Sequence, residues 1–358
     1  MAIQTLDIHN VRNIRSARIE PAAGINLVTG LNASGKTSLL EALFVLGRGN
    51  SFRTHHISQV INKGAEALTV FAKLAEDGGT LGIERARNQN PRIRISGRKV
   101  DRLAELVAKL PVLAISPNSH RIIESGPKER RQFLDWGVFH VEQGYYKTWT
   151  QFTHSLRQRN AGLRKRLDAD QDRYWRKDIV EGSHKISAMR RSYLSKLEPL
   201  FQTLVDEILG LTDIRLTYFQ GWRAETELAE QIEAGLDRDY AQGYTRLGAQ
   251  RADIRIDYQD QPAQQVLSRG QQKLVVCALR LAQAMVLTEN TGDRCLILVD
   301  DLPAELDVNR RELLMHTLCT MPGQVFVTAT SGKLLPLESG MTHGVFHVEQ
   351  GEIKDLSK

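Results

Sequence analysis

Residues Gly30 to Thr37 read Gly-Leu-Asn-Ala-Ser-Gly-Lys-Thr, the G-x-x-x-x-G-K-[ST] spacing of a phosphate-binding loop. Glycines at those positions let the backbone wrap so that successive N–H groups point at phosphates, and a following helix N-terminus adds partial positive charge. In such a loop Lys36 reaches the β- and γ-phosphates and Thr37 places its hydroxyl on Mg²⁺. Gly30, Leu31, Asn32, Ala33, Ser34, Gly35, Lys36, Thr37 and Ser38 are therefore the candidate nucleotide-binding stretch. A second chemical signal lies far downstream, at Leu296-Ile297-Leu298-Val299-Asp300-Asp301. Four apolar residues ending in two acids fit a buried strand that delivers carboxylates to a phosphate site. Asp300 would hold Mg²⁺, directly or through water, and Asp301 would polarise an attacking water, which makes Asp301 and Lys36 the candidate catalytic pair. Read alone, the acidic pair has a helix cap as its lesser alternative.

These residues need a strand before the loop and a helix after it. Gly24–Thr29 reads as a short buried strand, and Ser38–Leu43 has helical character continuing to about Leu46. Strands are expected at Ile3–Ile8, Ser16–Ile19, Leu68–Leu74, Leu81–Arg85 and Arg92–Ile95, with turns at Asp77-Gly78-Gly79 and Asn88–Pro91. Leu103–Leu110 reads as a short helix and Pro111–Ile115 as an apolar strand. After Gly126-Pro127 the pattern becomes helical and charged through residue 235, with apolar positions from Ile179 to Ile208 fitting one long helix or a helix pair. Strand character returns at Ile214–Tyr218 and Arg255–Tyr258. The C-terminal part offers a strand at Cys295–Val299, a helix at Val308–Thr320 and a strand at Gln324–Thr328. The expected class is α/β: a phosphate-loop domain split by a mainly helical second domain, with the parts at 1–125, 126–240 and 241–358.

The chain has 358 residues, 41% hydrophobic and 25% charged, an ordinary globular composition with room for two domains. It contains no run of about 18 apolar residues, so no membrane span is expected. The N-terminus alternates like a strand and does not resemble a secretion signal. Cys277, Cys295 and Cys319 are too scattered for a metal site and read as small apolar residues in a reducing compartment. The net charge is +6, and residues 151–200 hold twelve Lys/Arg against six acids. A second group at 85–99 (Arg85, Arg87, Arg92, Arg94, Arg98, Lys99) contains no acid. Concentrated basic charge is the footprint of a polyanion partner, the alternative being solvated faces.

Leu267-Ser268-Arg269-Gly270-Gln271-Gln272 precedes an apolar helix. It resembles the L-S-G-G-Q signature of ABC-type ATPases, with Arg in the third position. A serine and a glycine at a helix N-terminus form a phosphate-binding device. In those ATPases the signature closes over the γ-phosphate held by a second subunit, so Ser268, Gly270 and Gln271 would complete the partner's site. The resemblance further implies an interface loop at Glu305-Leu306-Asp307. It also implies a Q-loop residue, for which Gln59 and Asn118 are both candidates. Many relatives carry Glu where this chain has Asp301, and a γ-phosphate-sensing His after the next strand; this chain has no His there, so that role is either missing or filled by Thr328 or Thr330. Arg12 either faces the nucleotide or lies on the surface.

The full pattern resembles the RecF family of bacterial recombination and replication-repair ATPases. The matching pieces are Leu6–Ile14, the phosphate loop, Ser51-Phe52-Arg53-Thr54, Ser125–Asp135, Leu267–Gln271, Asp300-Asp301 and Glu305-Leu306-Asp307. The resemblance implies an ABC/SMC-like ATPase head with ATP and Mg²⁺ as cofactors. It implies an ATP-dependent homodimer on double-stranded and gapped DNA, slow and weak ATP hydrolysis for release, and cooperation with RecR, RecO and RecA in the cytoplasm. Arg92, Arg94, Arg98, Arg164 and Lys165 are the candidate DNA contacts. Other SMC-like repair ATPases and, further off, transporter ATPases share the phosphate-loop chemistry. The latter are more compact and pair with a membrane subunit.

Overall fold

The computed structural model describes residues 2–75, 79–165, 168–301, 306–332 and 343–357. The first third of the chain runs β1 (Ile3–Val11), β2 (Ile14–Ile19), β3 (Ile25–Thr29), α1 (Lys36–Arg48), β4 (Ala67–Leu74), β5 (Thr80–Ala86), β6 (Arg92–Ile95), β7 (Arg98–Val100), α2 (Leu103–Lys109) and β8 (Val112–Ile115). The middle comprises α3 (Arg121–Glu124), α4 (Pro127–Val141), α5 (Tyr145–Leu163), α6 (Ala169–Leu209), β9 (Ile214–Phe219), α7 (Leu228–Ala234), α8 (Leu236–Gln242), β10 (Asp253–Tyr258), β11 (Gln261–Pro262) and α9 (Ala263–Val266). The last third holds α10 (Arg269–Thr291), β12 (Cys295–Val299), α11 (Val308–Thr320), β13 (Gly323–Ala329), β14 (His343–Glu349) and β15 (Glu352–Asp355).

Two compact units result. One comprises Met1–Ser119, Glu207–Leu209 and Lys273–Lys358; the other comprises His120–Asp206 and Gly210–Gln272. The first unit contains two six-stranded sheets. One is antiparallel, in the order β2-β1-β4-β5-β6-β7. The other has the order β15-β14-β3-β13-β12-β8 and is parallel except for the last hairpin. All five residues of β3 and of β12 are buried, as central strands of a sheet covered on both faces are; β12 is a continuous apolar run, and the polar Asn26 of β3 is satisfied by the Ala22 backbone. Helix α1 packs on strands of both sheets. Eleven of its thirteen residues are buried, so the helix that leaves the phosphate loop is itself the centre of the core. Its apolar residues Leu39, Leu40, Leu43 and Leu46 join Ile8, Val70, Leu298 and Phe346 in one cluster.

In the second unit the apolar positions from Ile179 to Ile208 belong to a single helix, α6, of 41 residues. Asp168 caps it by accepting from the Asp170 N–H, and Gly210 ends it in the left-handed conformation at φ 66°. Three strands, β11-β10-β9, accompany the helices. This unit extends to Gln272, beyond the boundary at 240 expected from the sequence. The later segment is tied to the helices by a set of buried and half-buried charge pairs. Arg130 on α4 makes a two-pronged contact with Asp253 on β10, both bonds 2.8 Å. Arg159 on α5, fully buried, donates to Asp172 (2.9 Å), to Asp239 (2.7 Å) and to Thr245 (2.8 Å). The sequence marks these residues only as charged, and their partners lie up to 123 positions away.

Candidate functional site

The phosphate loop lies between β3 and α1, and its backbone adopts the conformations its residues suggest. Gly30 and Gly35 have φ of 149° and 125°, and Ala33 takes the left-handed region at 64°. Glycine at position 30 answers a further constraint: a Cβ there would sit 2.3 Å from the Val348 carbonyl oxygen. Leu31, Asn32 and Ala33 are exposed, whereas Ser34, Gly35, Lys36 and Ser38 are buried.

Two neighbouring turns hold the loop. The Ser34 carbonyl accepts from the Asn13 side-chain amide (2.9 Å) and from the Gly351 N–H (2.8 Å). Asn13 Oδ1 in turn accepts from the Ser38 hydroxyl at 2.8 Å, so one side chain joins the loop to the first turn of α1. Behind the loop, Glu41 is fully buried and pairs with Arg12. Arg12 also donates to the Gln59 carbonyl at 2.6 Å, so it is anchored rather than a simple surface residue. A cleft of about 560 Å³ lies beside this turn, lined in part by Arg12, Asn13, Gln59, Asn62, Lys63 and Arg87.

Lys36 Nζ donates to the carbonyls of Gly30 (2.7 Å) and Leu31 (3.0 Å). Burial lowers its pKa from the usual lysine value, while the charges of Asp301 and Asp300 oppose that shift. Thr37 Oγ1 donates to Asp300 Oδ1 at 2.9 Å, across 263 residues of sequence. Asp300 is 7% exposed. Burial raises its pKa, and the hydrogen bonds from Thr37 and Thr328 and the charge of Arg53 pull the other way. A threonine hydroxyl touching a desolvated carboxylate is a hard-oxygen donor pair of the kind that suits Mg²⁺. Asp301 follows with φ 51°, and its N–H donates to the Thr328 hydroxyl at 2.8 Å.

The other sequence candidates sort differently. Ser268 and Gln271 form a reciprocal capping box at the start of α10: the Ser268 N–H donates to Gln271 Oε1 (2.9 Å), and the Gln271 N–H donates to Ser268 Oγ (3.3 Å). Ser268 and Gly270 are exposed there. Thr328 is fully buried and its hydroxyl already serves both acids, whereas Thr330 is exposed beyond the strand. Gln59 lines the cleft beside the loop, and Asn118 stands exposed in the turn after β8. In the interface-loop candidate, Glu305 lies outside the described residues, Leu306 is buried and Asp307 caps α11 by accepting from the Arg310 N–H. Asp77, Gly78 and Arg166 also lie outside the described residues.

The basic clusters are only partly outward-facing. Arg92 and Arg94 alternate with buried Ile93 on β6, so both project from the outer face of the antiparallel sheet. Arg94 is paired with Lys99 across the hairpin and Ile95 with Arg98. Cross-strand partners share a face. Lys99 therefore stands with Arg92 and Arg94, while Arg98, also exposed, has the opposite parity, shared with Ile95. In the 151–200 segment Arg159 and Arg190 are fully buried, the latter 2.7 Å from Asp135. Arg176, Lys196 and Arg173 are ion-paired with Asp172, Glu142 and Asp170. Arg164 and Lys165 are exposed at the end of α5.

Sequence reasoning missed Asn13 and Arg53 as site residues. Both fall within longer matching stretches, but their roles depend on Ser34, Ser38 and Asp300, which are distant in sequence. No helix among the described residues is long and apolar enough to cross a membrane.

Comparisons with known proteins cover nearly the whole chain. The family described as RecF/RecN/SMC N terminal domain matches residues 2–354. A DNA replication and repair protein RecF of Shewanella piezotolerans is 40% identical over 99% of both chains. The RecF of Stutzerimonas stutzeri is 42% identical over 99% of this chain and 98% of its own. A solved structure described as the recombination mediator protein RecF with ATP, in the RecFOR pathway, superposes with a TM-score of 0.87 at 26% identity, covering 99% and 97% of the two chains. An Smc head bound to a ScpA domain shares the fold at a TM-score of 0.60 and 14% identity, covering 99% and 97%.

Proposed function

The chain belongs to the RecF family of DNA replication and repair proteins, and on that premise we propose that it is an ATP-gated, DNA-binding protein of recombinational repair. The observation that carries the reading is the Thr37–Asp300 bond. It brings the two halves of a nucleotide motif to 2.9 Å across 263 residues, which neither half accomplishes alone.

ATP would lie along the loop from Gly30 to Ser38, with its nucleoside toward the cleft that Arg12, Lys63 and Arg87 make basic. Lys36 would exchange its bonds to the Gly30 and Leu31 carbonyls for phosphate oxygens. Thr37 and Asp300 would hold Mg²⁺, which neutralises phosphate charge when bound. Asp301 would orient the attacking water as its base. It is one methylene shorter than a glutamate, in keeping with weak, slow turnover.

Ser268, Gly270 and Gln271 sit at an exposed helix N-terminus, a surface able to receive the γ-phosphate held by a second copy. That exposed arrangement supports an ATP-dependent homodimer. Arg92, Arg94 and Lys99, with Arg164 and Lys165, would contact the phosphate backbone of double-stranded and gapped DNA without reading bases. Membership of the family supports cooperation with RecR, RecO and RecA at single-strand gaps, in the cytoplasm.

The test is mass by light scattering without nucleotide, with ADP and with ATP·Mg²⁺, each with and without short duplex DNA. A dimer that forms only with ATP and is strengthened by DNA is the expected result. A monomer under every condition would overturn the clamp.

A further inference from the structure

Thr328 lies on β13, in register with Val28 of the loop-bearing strand β3. Its side chain is fully buried. The hydroxyl donates to Asp300 Oδ1 at 3.0 Å and accepts the Asp301 N–H at 2.8 Å. A hydroxyl has one proton to donate. That proton is committed to Asp300, so none remains for a phosphate oxygen.

We propose that Thr328 is the positioning residue of the hydrolytic centre: its one hydroxyl fixes the cation-binding Asp300 and the water-orienting Asp301 relative to each other. The inference rests on the ATP site proposed above and deepens it. Three features support it. Asp300 Oδ1 receives two hydroxyls, from Thr37 and Thr328. Thr37 is the one that the phosphate-loop motif assigns to a cation, so the Thr328 bond holds the carboxylate independently of loading. Asp301 has φ 51°, a conformation costly for a residue with a side chain, and such conformations persist only where neighbours over-determine them. The bond from its N–H to Thr328 is such a constraint. Finally, Thr328 is held in the interior of the sheet by β3 and β12 on either side of β13, so its own position does not depend on a loop.

The hydroxyl of Thr328 is engaged by the two acids. It acts through the two acids, and its removal should change metal use and turnover while sparing nucleotide binding.

The experiment compares Thr328→Val, which keeps the shape and removes the hydroxyl, with Thr328→Ser, which restores it. Binding of a fluorescent ATP analogue is measured in EDTA and across a Mg²⁺ titration, alongside kcat, KM and the thermal midpoint. Thr328→Val should bind the analogue in EDTA as the parent does, yet need on the order of tenfold more Mg²⁺, the worth of a hydrogen bond to a charged group. Its kcat should fall about tenfold or more with KM little changed. Thr328→Ser should restore both. A parent-like Mg²⁺ requirement and kcat in Thr328→Val would overturn the inference. Should the valine variant fail to fold, the serine variant decides: a folded Thr328→Ser protein with a shifted Mg²⁺ requirement overturns it, and an unshifted one supports it. Lys36→Ala separates the two readings. If it binds ATP normally, both fall together. If it loses binding while Thr328→Val matches the parent, only the role of Thr328 falls.

Discussion

Arg12 grips Glu41 with two parallel bonds, Nε to Oε2 at 2.7 Å and Nη2 to Oε1 at 2.9 Å. The arginine belongs to the turn between β1 and β2, and the glutamate to the core-facing side of the helix that leaves the phosphate loop. Ser51 also donates to the same carboxylate. The turn that holds the loop through Asn13 is thus itself fastened to the helix the loop enters. Arg12→Ala leaves the Glu41 charge buried without its cation. We expect a stability loss of about 3 kcal/mol by urea unfolding, the scale for removing one partner of a buried pair. An unchanged midpoint would show that water replaces the guanidinium without cost.

Ser268 carries a second obligation besides the one proposed across a dimer. Its hydroxyl and the Gln271 amide cap α10 reciprocally. Ser268→Arg should cost about 1 kcal/mol of stability through removal of the cap. It should leave ATP binding by the isolated chain intact and abolish the ATP-dependent dimer. A dimer in this variant by light scattering would refute the role assigned to the signature.

On the antiparallel sheet, register divides a basic cluster that looks uniform in sequence. Replacing Arg92, Arg94 and Lys99 together by alanine should weaken duplex DNA binding. It should also reduce the slope of log K against log salt by about two to three, roughly one for each phosphate left without its cation. Arg98→Ala alone should change the slope less than any of the three. An unchanged slope in the triple variant would return that face to ordinary solvated surface.

Cys277 lies in the interior of α10, and burial pushes its thiol up to about 12. Burial raises Cys295 as well. Because alkylation requires the thiolate, only about one thiol in 10⁴ would be reactive at pH 8 for such a pKa. Iodoacetamide followed by mass spectrometry should label Cys319, which is partly exposed, well before the other two. Equal labelling in the folded protein would contradict the burial.

The strands that carry the site are legible in sequence because each obeys a local rule. β3 and β12 are short, largely apolar stretches bounded by turn or loop signals, and their observed limits coincide with the strands expected at Ile25–Thr29 and Cys295–Val299. What stays hidden depends on contacts between distant segments. The hairpin β14–β15 is not among the strands expected from sequence, although its turn supplies the Gly351 N–H that holds Ser34. The place of Thr328 after a strand suggests phosphate sensing, and only the fold reveals that Asp300 and Asp301 have already taken its hydroxyl. Arg159 and Arg190 illustrate the same limit for charge: composition counts them toward a basic surface, yet both are interior. The parity of Arg98 follows from a two-residue turn at Ser96-Gly97, where both φ are positive. That turn is open to reading as a Ser-Gly dipeptide between strands.

The placing of β3 between β13 and β14 also has a consequence for how the protein is made. The strand that enters the phosphate loop leaves the ribosome early, whereas both strands that flank it come from the far end of the chain. Ile3 and Gln324, joined through both backbone groups of Ile3 and the glutamine amide, are 321 residues apart. At typical synthesis rates that interval lasts on the order of 15–60 s. During it the loop has neither sheet partner nor Gly351 behind it, so a nascent or prematurely terminated chain carries the whole phosphate-loop motif without a formed site. Competence to bind nucleotide would then require that β13, β14 and the Gly351 turn have been made.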